Sequence, residues 1–152
     1  MQKITINISR EKVYSEVAKA TDYTGTKLEG LTEDEDVRER ILMTDEDLRS
    51  MSVAWDDCVS SVNEELKEML SAYASNEEGY TATLEVSEAF DKVLCGSVES
   101  CIRGFFILWM TGQWFVYSNK GEANGRLAQA EEYMGAAVRM LYSRRRPKRP
   151  EK

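Results

Sequence analysis

The side chains that most often act as nucleophiles or general bases are scarce in this sequence. Its 152 residues include three cysteines and no histidine, so the usual acid–base group at neutral pH and the commonest metal ligand are both missing. Cys58, Cys95 and Cys101 are 37 and 6 residues apart, a spacing that fits neither a zinc site nor an obvious disulfide framework. We interpret them as structural thiols in a reducing compartment, and we predict that the protein is not an enzyme.

Two acidic clusters, residues 33–36 and 45–47, could bind a hard cation through carboxylate oxygens. Neither has the spacing or the central glycine of an EF-hand loop. We interpret the first cluster as a solvated loop and the second as the acidic first turn of a helix. Asp56 and Asp57 are expected on the surface, because the apolar repeat places Trp55 and Val59 inward instead. The sequence therefore predicts no metal site and no cofactor.

Large aromatic side chains are concentrated in one apolar segment near the carboxyl end. Two interpretations remain open: these rings fill the core of a monomer, or they anchor a subunit interface, where Trp, Tyr and Phe are enriched. The segment 104–117 has only 14 residues and contains Gln113, so it is too short to span a membrane, which takes about 20 residues. The candidate interface residues are Phe105, Phe106, Trp109, Trp114 and Phe115.

Charge is distributed unevenly along the chain. The sequence has a formal net charge of −7, but its last nine residues, 144–152, contain four Arg and two Lys against one Glu. The tail therefore carries +5 and the remaining body −12. The tail can be an arm that docks on an acidic neighbour or partner, a phosphate-contacting arm with salt-dependent affinity, or a solubilising end. The candidate docking residues are Arg144, Arg145, Arg146, Lys148 and Arg149.

Hydrophobic periodicity predicts the elements that carry these residues. Alternation from Ile4 to Ile8 predicts a half-buried strand, and Ser9 is placed to cap a helix over residues 10–20. Gly25 and Gly30 favour a loop over residues 21–36, followed by a short helix or turn at 37–42. The first twelve residues lack the apolar run of a secretory signal, so we expect a cytoplasmic site of synthesis.

A seven-residue apolar repeat predicts a long helix from Thr44 to Tyr73, and residues 80–86 alternate as a second strand that pairs with the first or forms a hairpin of its own. Ser87 or Ser97 is predicted to begin the aromatic helix, and residues 122–143 form the last one. The small residues Gly96, Ser100, Gly104 and Gly112 lie on one side of the aromatic helix at steps of four and eight, where another helix can approach closely. The predicted fold is mainly α, a helical bundle with a minor two-strand β element. Residues 1–143 form a single domain, and 144–152 form an extended tail.

This order of elements, with the segments TLEVSEAFDKVLCGSVES and LYSRRRPKRP, resembles the small helical head-tail connector (adaptor) proteins of tailed bacteriophages and of prophages of gut bacteria. The resemblance implies a structural virion protein made in the host cytoplasm, assembled as a ring, commonly of twelve copies, between the portal and the tail. DNA would pass through the ring without sequence-specific binding. In that family the carboxyl-terminal arm reaches the portal or a neighbour, which implies a docking role for residues 144–150. A β-loop also lies near the ring interior in that family, and residues 80–86 would belong to that loop or to its support.

Two alternatives remain beside this resemblance. The chain can be a small nucleic-acid-binding module that acts through its tail. It can also be a regulatory protein that binds one protein partner through its aromatic helix.

Overall fold

A computed structural model describes residues 1–32, 52–116 and 119–144, with side chains described only to residue 21 in the first range. In these ranges the fold is mainly α, as predicted, with a small antiparallel sheet. The elements in chain order are β1 (Gln2–Ser9), α1 (Arg10–Thr32), α2 (Ser52–Glu65), β2 (Leu70–Ser75), β3 (Gly79–Val86), a 3-10 turn (Lys92–Leu94), α3 (Cys95–Phe115) and α4 (Lys120–Tyr142).

The predicted first strand and the helix that follows it are confirmed. Ile4, Ile6 and Ile8 are buried on one face of β1, while the residues between them are exposed. The helix α1 begins directly after Ser9, whose hydroxyl oxygen accepts a hydrogen bond from the Lys12 N–H at 3.3 Å. This bond satisfies one of the free amides of the first turn and fixes where the strand ends and the helix begins.

The predicted loop over residues 21–36 is wrong in the part that the structure describes, because α1 continues to Thr32. Gly25 and Gly30 lie within this helix. A glycine costs a helix only about 1 kcal/mol relative to alanine, so two of them do not by themselves end it. The predicted helix or turn at 37–42, the acidic clusters at 33–36 and 45–47, and the helix start at Thr44 lie outside the described residues.

The long helix predicted to reach Tyr73 ends at Glu65 instead, and residues 70–75 form β2. The apolar repeat was correct about burial, since Leu66 and Met69 are buried in the turn after the helix. The chain then reverses at a tight hairpin between β2 and β3. In this hairpin the Asn76 side-chain oxygen accepts hydrogen bonds from the N–H groups of Glu78 and Gly79, at 2.9 and 3.2 Å.

Within the described ranges the sheet has three strands in the order β1-β3-β2, one more than predicted. The strand predicted at 80–86 is confirmed as β3, and it pairs antiparallel with β1 and also forms the hairpin with β2. Its residues Tyr80, Ala82 and Leu84 share the buried face with the isoleucines of β1. The buried side chains of β1 and β3 therefore lie on one face of the sheet, and the helices pack against that face.

The aromatic helix α3 is central, since it contacts α1, α2, α4 and β1. It starts neither at Ser87 nor at Ser97. The chain first forms the 3-10 turn, in which the Val93 N–H donates a hydrogen bond to the Asp91 carboxylate at 3.1 Å. It then continues directly into α3. The last helix α4 is confirmed, and Asn119 caps it by accepting from the Glu122 N–H at 3.3 Å.

The predicted close approach of a helix along the small residues of α3 is confirmed for α4 at Gly104 and Gly112, but not at Gly96, where an added β-carbon would have no atom within 4 Å. A β-carbon added at Gly104 would lie 3.2 Å from the Tyr133 ring, and one added at Gly112 would lie 2.8 Å from the Leu127 side chain. These distances are at or below van der Waals contact. Core residues from the sheet and from all four described helices join one hydrophobic cluster around this pair.

Replacing Gly112 by Val is expected to lower the free energy of unfolding by about 1–3 kcal/mol, because the added side chain must displace Leu127 from the face of α3. Gly96 is the matched control, since it is exposed in the first turn of the same helix and has no atom within 4 Å of an added β-carbon. Gly96→Val should leave stability within about 0.5 kcal/mol of the wild type. Urea unfolding followed by circular dichroism measures both, and equal losses in the two variants would contradict close packing at Gly112.

Candidate interaction surfaces

The five aromatic residues considered for a subunit interface occupy two different environments. Phe106 and Phe115 are fully buried and Phe105 is 5% exposed, so all three are packed within the described structure itself. Phe106 contacts the Trp55 ring with centroids 4.6 Å apart and the Tyr80 ring at 5.7 Å. The monomer-core interpretation accounts for these three phenylalanines.

Trp109 and Trp114 are half-buried, which leaves part of each indole ring at the surface. Trp109 lines an open cavity of about 460 Å³ together with Glu65 of α2 and Glu131 of α4. Trp114 packs against Phe115 near the carboxyl end of α3. These two tryptophans are the members of the set that a partner can contact.

A larger groove follows the outer side of the α3–α4 pair. It encloses about 730 Å³, and its apolar lining includes Ile107, Leu108 and Tyr133, the last of which is 45% exposed. Arg103 and Glu132 lie at the same groove. The combination of an apolar floor and charged rim is typical of protein-binding surfaces.

The basic tail leaves the fold beside acidic residues. The last described residue, Arg144, is exposed and lines a cavity of about 200 Å³ together with Glu68, Met69 and Glu85. Both glutamates are exposed. The remaining tail residues of the candidate docking set, Arg145, Arg146, Lys148 and Arg149, lie outside the described residues. The chain thus changes from acidic to basic at the end of the sheet where β2 begins.

The strand β2 forms a surface that sequence analysis missed. Every residue from Ser71 to Ser75 is exposed, and the Tyr73 side chain is 57% exposed although it shares a face with buried Ala82. The side chain of Ser75 accepts a hydrogen bond from the Trp55 indole N–H at 3.1 Å. The hairpin residues Asn76 and Gly79, both typical of turns, were the feature of the sequence that could have revealed this strand.

Burial affects two thiols and one phenol in the described part of the chain. Burial raises the pKa of the Cys58 thiol and, less strongly, that of Cys95. Burial also raises the pKa of Tyr80, whose hydroxyl donates to the Asn63 side-chain oxygen at 2.6 Å. All three shifts favour the protonated form. Within the same described ranges, no three Cys, Asp or Glu side chains converge in a metal-binding cluster.

The prediction that Asp56 and Asp57 lie on the surface is confirmed, since both are exposed on α2. Among the described residues, the stretch Lys92–Phe115 is long and apolar enough to cross a membrane by length and composition, and an 18-residue window within it has a mean hydropathy of 1.5. It is longer than the 14 residues counted from the sequence. The same stretch contains the central helix of the fold, and the absence of a membrane span stays a prediction.

Comparison with protein-family models, with curated proteins and with solved structures gave no match to this chain.

Proposed function

We propose that this chain is a structural subunit of a phage or prophage head-tail connector, which assembles as a ring between the portal and the tail. The observation that carries the proposal is the position of the basic tail. It leaves an acidic body at Arg144, next to Glu68 and Glu85, so each copy presents both a cationic arm and an anionic surface. Complementary patches at different places on one molecule form heterologous contacts, which generate rings when the rotation closes.

The distribution of charge also suits a conduit for DNA. A body that carries −12 repels the phosphate backbone, so a duplex inside a ring of such bodies would slide without binding. The half-buried Trp109 and Trp114 and the groove along α3 and α4 supply apolar surface for the contacts between neighbouring copies or with the portal. Aromatic residues at the centre of an interface contribute most of its binding energy.

Native mass spectrometry of the full chain over a hundredfold range of concentration tests this proposal. We expect a closed ring, and we expect a variant with Ser at Arg144, Arg145, Arg146, Lys148 and Arg149 to need at least tenfold higher concentration to assemble. The matched control replaces the four arginines by Lys, which keeps the charge at every position. This control should assemble like the wild type if charge complementarity drives docking.

Two other outcomes would contradict the connector proposal. Tight binding of duplex DNA, with a log–log salt slope of several units that is lost in the Ser variant, would support the nucleic-acid module. A monomer that binds neither itself nor a portal protein, but loses a single protein partner when Trp109 is changed to Ala, would support the regulatory alternative.

A further inference from the structure

Among the strands that the structure describes, β2 lies at an edge of the sheet, and its composition is unusual for this chain. The strand reads Leu-Ser-Ala-Tyr-Ala-Ser, without charge or proline, in a sequence that is 31% charged. Edge strands are normally protected by charged side chains, prolines or bulges, because their unpaired N–H and C=O groups accept another strand. The only irregularity in the β2–β3 pairing lies between Leu70 and Ala72, so the part from Ala72 to Ser75 is regular.

The register identifies which backbone groups face outward. The Asn76 N–H donates to the Gly79 carbonyl at 3.0 Å, which makes these two a hydrogen-bonded pair. Alternation along the antiparallel ladder then turns the N–H and C=O of Ala74 toward β3, and those of Tyr73 and Ser75 away from it. Within the described residues, the edge of β2 thus offers two donors and two acceptors in the geometry of a strand.

The opposite edge of the sheet is protected differently. In β1 the outward N–H of Asn7 donates to the Glu99 carboxylate of α3 at 3.2 Å, and Lys3 adds a charge to the same strand. The helix α3 contacts β1 along this side. The contrast between the two edges indicates that β2, and not β1, is the edge that is open to an added strand.

Charges at both ends of β2 restrict which segment can pair with it as an added strand. Glu68 precedes β2, Glu77 and Glu78 follow it at the hairpin, and all three side chains are exposed. Two β2 edges paired about a two-fold axis through Tyr73 would place Glu68 of one copy opposite Glu78 of the other, which is unfavourable. A segment with cations near both ends is the complementary occupant.

We propose that the edge of β2 is the docking surface for the basic tail of a neighbouring copy, which adds to the sheet as a fourth strand. This inference rests on the proposed function, in which the tail joins neighbouring subunits, and it assigns the surface that receives the tail. The six residues of β2 extend about 20 Å, and the nine residues from Arg144 to Lys152 are long enough to cover them.

The direction of the chain favours a neighbour over the same copy. Arg144 lies beside Glu68 and Met69, at the beginning of β2, so in its own copy the tail would have to run parallel to β2. A tail that comes from another copy can run antiparallel, which is the more stable pairing per residue. Antiparallel docking also brings the three consecutive arginines toward the hairpin glutamates.

The prolines of the tail specify its register. Because proline has no N–H, Pro147 must face away from the edge of β2. Residues 144, 146 and 148 then face the edge, and residues 145, 147 and 149 face away. The strand ends before Pro150, which would otherwise interrupt the alternation.

Four full-length variants test this contact, with hydrogen exchange of the 71–75 amides and native mass spectrometry as the two measurements. Tyr73→Pro removes an outward N–H without removing a bond of the β2–β3 ladder, and Tyr73→Ala is its matched control. Arg146→Pro removes a donor of the tail that faces the edge, and Arg145→Pro is its control. In the wild type, the Tyr73 and Ser75 amides should exchange at least tenfold more slowly at concentrations where the oligomer forms. Tyr73→Pro and Arg146→Pro should remain monomeric, while both control variants form the oligomer.

Three results would overturn the inference. The first is assembly of Tyr73→Pro equal to that of Tyr73→Ala, with circular dichroism confirming that both are folded. The second is an equal loss of assembly in Arg145→Pro and Arg146→Pro. The third is protection of the two amides that does not change with concentration, because a segment of the same copy then covers the edge. If these variants form intact rings, the connector proposal stands without this contact. If the wild type forms no oligomer and its edge amides stay unprotected, both proposals fail.

Discussion

Replacing Trp55 by Ala is expected to lower the free energy of unfolding by about 3–5 kcal/mol. The side chain is fully buried on α2, and its ring packs on Phe106 with centroids 4.6 Å apart and edge-on to Tyr14 at 6.1 Å. Its indole N–H donates to Ser75 of β2 at 3.1 Å. Removing this side chain leaves a cavity where α1, α2, α3 and the edge of the sheet meet. Because small domains are stable by only about 5–15 kcal/mol, a large part of the folded population would be lost at physiological temperature.

Trp55→Phe separates packing from the hydrogen bond. Phenylalanine keeps most of the aromatic contact with Phe106 but cannot donate to Ser75, whose hydroxyl is exposed and can bond to water instead. We expect this variant to lose about 1–2 kcal/mol, well below the loss in the Ala variant. Urea unfolding followed by far-ultraviolet circular dichroism measures both without relying on tryptophan fluorescence. Equal stability of the Ala variant and the wild type would contradict the position of Trp55 in the core.

The parts of the fold that the sequence predicted correctly are those where one local pattern has one structural solution. Ile4, Ile6 and Ile8 alternate, and only a strand places all three on one face. Ser9 follows at the position of a helix cap, and the helix begins there. The small residues on one side of α3 allow a close neighbour, which the structure supplies as α4 at Gly104 and Gly112.

The prediction of the long helix was wrong where a continued helix and a turn into a hairpin both satisfy the same apolar pattern. Leu66 and Met69 fit a seven-residue repeat, and they are buried, but they are buried in a turn that leads into a hairpin. Hydrophobic spacing reports burial and does not by itself report the direction of the chain. The pairing of Tyr73 with Ala82 joins residues nine positions apart, and its stability comes from β3, outside the window that the repeat covers.

The surface predictions were limited by a different cause. A cluster of aromatic residues is equally compatible with a core and with an interface until the neighbouring elements are placed. The structure buries Phe106 against Trp55 of α2 and Tyr80 of β3, and it buries Phe115 in a smaller cluster with Ala123 of α4. Trp109 and Trp114 remain partly at the surface. Within β2 itself the small neutral residues carry little hydrophobic or charge periodicity, so only the turn residues Asn76 and Gly79 that follow it could have indicated the strand.

Replacing Gly79 by Ala is expected to destabilise the protein by about 3 kcal/mol or more, the second large effect. Gly79 has φ +154°, a conformation that residues with a side chain avoid at a cost of about 1–3 kcal/mol. An added β-carbon would also lie 2.0 Å from the Ile8 carbonyl oxygen and 3.2 Å from the Arg10 nitrogen. The backbone must therefore move, because main-chain atoms cannot rotate away as a side chain can.

The loss of structure in Gly79→Ala should extend beyond the hairpin, because Gly79 lies where the hairpin, β1 and the start of α1 meet. It pairs with Ser9 at the junction of β1 and α1, and the neighbouring Glu78 carbonyl accepts the Arg10 N–H at 3.0 Å. Moving this backbone separates β3 from β1 as well as distorting the β2 edge, so amides of Ile6 and Ile8 should exchange faster together with those of the hairpin. Glu78→Ala is the matched control: its side chain is exposed, and stability should stay within about 0.5 kcal/mol of the wild type. Faster exchange confined to residues 70–79 in Gly79→Ala would show instead that the hairpin yields locally and that β1 does not depend on it.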